Sequence, residues 1–136
     1  MLGYFANAKP LEALVVLASH YTVKETLDRL VILFQQRDIV IYARINRQLE
    51  AEWYGLAMRP LELILFDDPQ LSGPMIEGDP RLALYFPLRI VAWEEAGGQC
   101  RVAFNDPVVL MRMYVPEREG PYWPDLQPDI TRALAE

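Results

Sequence analysis

The chain has 136 residues, enough for one domain with its own core. Its 52% hydrophobic and 24% charged content are those of an ordinary globular protein. A net charge of −6 and a pI near 4.8 exclude a nucleic-acid partner, which a basic stripe would have to meet. The 11 Arg and two Lys are scattered, and no apolar run is long enough to cross a bilayer. The N-terminal stretch has no basic region ahead of its apolar run, so the sequence predicts no signal peptide, no membrane partner and a cytoplasmic location. Cys100 and His20 are each the sole residue of their type. An intrachain disulfide and a multi-Cys metal site are therefore ruled out, and neither metal nor organic cofactor is expected.

Residues 1–10 read as a loosely held lead-in. The apolar run 11–18 reads as a buried strand. Thr22-Val-Lys-Glu25 is a capping box, in which the Thr22 hydroxyl accepts from the Glu25 amide and the Glu25 carboxylate reaches back to the Thr22 amide. Val23, Leu27, Leu30, Val31 and Phe34 follow at helical spacing to about Gln36, with Glu25 and Arg29 as an i,i+4 pair. Residues 39–46 alternate as a strand, 48–54 form a short helix, and Gly55 is its left-handed stop. A third strand covers 61–66. The Pro-, Gly- and Ser-containing stretch 67–78 reads as a loop.

Asp79-Pro80 is an N-cap followed by Pro at the first helical position, which predicts a short helix to about Tyr85. Strands over 88–94 and 100–104 flank a Gly97-Gly98 hairpin turn. Asp106-Pro107 repeats the capping device and opens a helix to about Tyr114. Pro116, Pro121, Pro124 and Pro128 forbid helix over 116–127. Tyr122, Trp123 and Leu126 are too apolar for a free tail, so 115–136 is expected to be a Pro-rich extension that docks on the domain or on a second subunit, with a terminal helix over 129–135. The order is strand, helix, four strands, helix. It predicts an α+β fold in which a single largely antiparallel sheet carries two main helices on one face, within a domain of residues 1–114. That topology resembles the TATA-binding-protein-like class.

Four segments carry a family resemblance: residues 21–30 (YTVKETLDRL), 59–66 (RPLELILF), 86–94 (FPLRIVAWE) and 104–107 (FNDP). Together they resemble the bacterial and archaeal domain-of-unknown-function 302 family over about residues 16–114. The resemblance implies an architecture and no particular chemistry. The family commonly shows Ile-Asp-His after its second strand, where this chain has Ile45-Asn46-Arg47, and Gly-Asn-Pro where this chain has Asp67-Asp68-Pro69.

Most candidate chemical groups have a plain structural role. His20 lacks a partner and reads as a turn residue. Cys100 reads as a buried small hydrophobe, with Arg101 on the opposite face. Glu94 and Glu95 alternate across a strand and form no dyad. One constellation remains. With helices over Ile39, Ile41, Leu61, Leu63, Leu65, Leu88 and Ile90, the other face would carry Tyr42, Arg44, Asn46, Glu62, Phe66, Arg89, Trp93, Arg101 and Asn105. Aromatic, guanidinium and amide groups together suit an interface or a ligand hollow. The expectation is a non-catalytic binding module, homodimeric or with a small-molecule ligand. The alternative is an enzyme on a small polar or acidic metabolite held by Arg44, Arg89 and Glu62.

Overall fold

The structure is a computed structural model and describes residues 14–114 and 125–135. Its centre is a five-stranded, fully antiparallel sheet in the order β1-β5-β4-β3-β2. The strands are β1 (Leu14–Ser19), β2 (Val40–Asn46), β3 (Leu61–Asp67), β4 (Leu88–Glu94) and β5 (Cys100–Asn105). The helices are α1 (Val23–Gln36), α2 (Arg47–Trp53), α3 (Pro69–Gly78), α4 (Pro107–Tyr114) and α5 (Gln127–Ala135), with a 3-10 turn at Pro80–Leu84. The expected α+β class and single sheet are found.

α1 links the two edge strands and must cross the whole sheet to do so. It starts where the capping box predicts: the Thr22 hydroxyl accepts from the Glu25 amide at 3.2 Å. The return half of the box differs, since that hydroxyl donates to the Glu25 carboxylate at 2.8 Å in place of a bond from the Thr22 amide. The expected Glu25–Arg29 pair also gives way. Lys24 and Asp28 form the i,i+4 pair at 2.9 Å. Arg29 lies over the Tyr21 ring at 4.3 Å and donates to the Ala133 carbonyl at 2.6 Å. α1 ends with Asp38 in the left-handed region (φ 57°) and the Ile39 amide closed onto the Phe34 carbonyl at 2.9 Å.

The apolar edge of α1 (Val23, Leu27, Leu30, Leu33, Phe34) packs on one face of the sheet, where Ile64, Phe66, Ile90, Ala92, Val102 and Phe104 are buried. Phe34 stacks on Phe66 with centroids 4.5 Å apart. α4 adds Leu110 and Met111 to the same core, and α5 adds Ile130 and Leu134.

Three sequence expectations change here. Residues 69–78 are helix, not loop: Asp68 caps α3 by accepting from the Gln70 amide at 3.1 Å, with Pro69 at the first position. β1 is an edge strand of alternating exposed and half-buried residues, not a buried one. The expected terminal helix is present but begins at Gln127, not 129, and it docks on the domain itself with Ile130 and Leu134 fully buried. Arg37 pairs with Asp129 at 2.9 Å, and the His20 amide donates to the Leu134 carbonyl at 2.9 Å. Of the stretch expected to be extended over 116–127, residues 125–126 are non-helical and Gln127 already opens α5, while 116–124 and the lead-in over 1–10 lie outside the described residues.

Removing the Ile130 side chain opens a void between α5 and α1. Ile130→Ala is expected to cost about 2–4 kcal/mol, and Thr22→Ala about 1 kcal/mol. Urea unfolding of the two variants measures both, and an Ile130→Ala loss no larger than that of Thr22→Ala would contradict the core role of α5.

Candidate functional site

Side chains alternate across a strand, so burying Ile64 and Phe66 under α1 sends Leu61, Leu63 and Leu65 to the opposite face. The register lines their neighbours up in rows. Val16, Ala103, Val91, Leu63 and Ile45 are successive cross-strand partners, so one apolar row spans all five strands. On one side of it lie Ala18, Arg101, Trp93 and Leu61. On the other lie Leu14 and Asn105, then Arg89, Leu65 and Ala43. None of the apolar residues of this face belongs to the buried core cluster or packs against it. Leu14 and Val16 are 47% and 53% exposed, and Arg89 is exposed, with no ion pair among the described residues. Arg101 pairs with Glu95 at 3.4 Å.

The face therefore differs from the one expected. Arg89, Trp93, Arg101 and Asn105 are on it. Phe66 is not: it is fully buried in the core. A β-bulge between Ile41 and Ala43 shifts the register of β2, so Arg44 turns to the helix side and Tyr42 is left 52% exposed at the bulge. Arg44 there donates to Asp28 at 2.5 Å, to Glu62 at 3.2 Å and to the Lys24 carbonyl at 3.3 Å. Arg44 and Glu62 thus strap α1 to the sheet and form no part of the open face. Lys24, then Arg44, hold the Asp28 carboxyl below the usual carboxylate range. Asn46 is likewise on the helix side, where its side chain accepts from the Leu49 amide at 2.9 Å and caps α2.

The missing members of the face are the aliphatic ones. β3 is apolar on both sides, so its alternation alone does not say which side is dry. The signal that finds them is the row itself, five aliphatic residues at matching registers in five strands.

A hollow of about 360 Å³ opens on the helix side between the first turn of α1 and the ends of β3 and β4, where Glu62 and Glu94 face Lys24, Asn46 and Gln48. Two other groups are buried. Cys100 is 4% exposed and its thiol is pushed up by burial, as for a cysteine packed as a small hydrophobe. Asp67 is 3% exposed. Its Oδ2 accepts from the Ser72 hydroxyl at 2.7 Å, while Oδ1 has no hydrogen-bond partner within 3.5 Å among the described residues.

With this geometry in hand, comparison with known proteins is decisive on kinship. The profile described as "Domain of unknown function DUF302" matches residues 15–136. The chain belongs to this family. The DUF302 match runs through α5, beyond the limit near residue 114 expected from the sequence motifs. The crystal structure of an uncharacterised conserved DUF302 protein from Bacillus stearothermophilus superposes with a TM-score of 0.66. It covers 90% of this chain and 87% of that one at 15% identity, which shows a shared fold alone. Among curated relatives, "Fluoride-specific ion channel FluC 1" of Brucella suis and "Fluoride-specific ion channel FluC 2" of Brucella melitensis are each 29% identical over 101 residues. The aligned stretch is 74% of this chain but only 40% and 37% of those proteins. No helix among the described residues here is long and apolar enough to cross a membrane.

Asp67 makes one property of this domain testable. Burial raises its carboxyl above the ordinary value. The folded chain then holds that proton more tightly than the unfolded one. The associated loss of stability sets in as pH rises past the unfolded value near 3.9 and is complete above the raised folded value. Asp67→Asn removes this term. The variant's melting temperature, compared with wild type, should improve as pH rises past about 4, and a difference that does not change with pH would contradict the assignment.

Proposed function

We propose that this DUF302 domain works by binding, and that the open face of the sheet is its binding surface. One observation carries the reading: the row Val16–Ala103–Val91–Leu63–Ile45 places aliphatic side chains across the full width of a face that lies outside the buried core cluster. Contiguous apolar surface of this kind, set among Trp and Arg, is the composition of an interface core rather than of a solvated surface. The alternative of an enzyme holding a polar metabolite through Arg44 and Glu62 draws less support, because both groups are engaged with each other and Arg44 also with Asp28.

A second reading is favoured by the Brucella relatives. In proteins named as fluoride channels, a stretch similar to this chain makes up about 40% of the length. We infer that the domain can serve as the association module of a membrane ion channel. Fluoride efflux from vesicles carrying the channel portion of such a relative, with and without this chain added, tests that role; identical rates would remove it.

For the binding surface, Leu63→Lys is the direct probe. Leu63 lies on the open face and Ile64 in the core, so Leu63→Lys should keep the far-UV circular dichroism while Ile64→Lys unfolds the protein. Leu63→Lys should also change the mass in solution or the uptake of a hydrophobic dye. A variant that matches wild type in both would take the function away from this face.

A further inference from the structure

The open face is complementary to itself, and we propose that its occupant is a second copy of this chain, packed face to face about a two-fold axis lying along the row Val16–Ala103–Val91–Leu63–Ile45. This rests on the reading of that face as a binding surface. β4 is the third of five strands, and Val91 is the middle one of its three outward residues Arg89, Val91 and Trp93, so Val91 marks the centre of the face. A two-fold axis joining two stacked sheets lies in the plane between them, and it has two natural directions. An axis along the strands would set Arg89 on Arg89 and Trp93 on Trp93, opposing like charges in a drying interface. An axis across the strands sets Arg89 of each copy on Trp93 of the other, Leu61 on Leu65, Arg101 on Asn105, and the aliphatic row on itself.

The second arrangement gives each Arg89, which has no ion pair among the described residues, an aromatic face to lie on, and it does so twice. Aligned packing of two sheets about 10 Å apart accommodates these side chains. Five strands spaced at about 4.8 Å and six residues rising about 3.3 Å each give a face of about 24 by 20 Å. The projected area is about 500 Å² per copy, so the pair reaches the roughly 1,000 Å² at which specific interfaces begin.

The test uses the full chain. Sedimentation equilibrium at micromolar concentration should give twice the chain mass of 15.7 kDa. Val91→Glu, which opposes two carboxylates on the axis, should give a monomer with unchanged circular dichroism. Arg89→Ala, a change at an exposed residue with no bearing on the core, should raise the dimer dissociation constant about tenfold. With a short bis-maleimide, a mixture of Leu61→Cys and Leu65→Cys chains should cross-link into a heterodimer, and neither chain alone should cross-link. Dimers that fail this pattern overturn the axis. A wild type that stays monomeric at about 100 µM, far above a micromolar dissociation constant, overturns the second copy as occupant. In that event, dye uptake abolished by Val91→Glu leaves the binding surface standing with another partner. A monomer without dye uptake, destabilised by Val91→Glu, means that the chain's own remaining residues cover the face, and both readings fall.

Discussion

The stacking of Phe34 on Phe66 is the contact on which the rest of the structure depends. It fixes which side of β3 is dry. Once Phe66 lies beneath α1, the two-residue period of a strand commits Ile64 and Glu62 to the same side and the three leucines of β3 to the other. The ladders then carry that choice outward to Ile90 and Val102 on the covered side, and to Val91 and Ala103 on the open one. A large ring pair at the seam also explains the path of α1. The helix must run from one edge strand to the other, and its last buried residue meets the sheet near the far edge, where β3 ends.

Much of this was legible in the sequence, and the reasons for the rest are specific. Capping is local chemistry, so Thr22, Asp79 and Asp106 marked the starts of their elements directly. Asp68-Pro69 is the same device, yet α3 was obscured by the Gly73-Pro74 pair in its interior, which argues against helix on propensity alone. The strands were legible as strands, but their orientation was not. In β3 both alternating sets include large apolar residues, and the choice between them depends on what α1 brings to the sheet, which is long-range information. The bulge at Tyr42 then inverted the rest of β2, and a bulge leaves little trace in an alternating sequence. The candidate site was therefore half legible: Arg89, Trp93 and Arg101 were placed on one face, while the aliphatic row between them appears only when five registers are known together.

The polar groups on the helix side divide into structure and surroundings. Arg44 would read as a substrate clamp from composition alone. In place, it bridges two strands and a helix through Asp28, Glu62 and the Lys24 carbonyl, a role that needs the several donors of a guanidinium. Asp79 and Arg81 form a bidentate pair within three residues and belong to their own turn. The Tyr21–Arg29–Ala133 contact and the Arg37–Asp129 pair serve α5, and they show why the C-terminal helix counts as part of the domain.

The bulge in β2 has a further consequence, for the size to which assemblies of this chain can grow. An antiparallel sheet with two free edges can recruit copy after copy by strand addition, a head-to-tail contact that never closes. Here β2 is kinked and its pairing interrupted at Tyr42, and beside β1 the His20 amide is already taken by the Leu134 carbonyl of α5. The β2 edge therefore offers no straight template, and the contact with α5 sits just past the end of β1. Growth by strand addition is discouraged at the β2 end of the sheet, and a chain with one usable edge closes at a pair instead of extending into a filament.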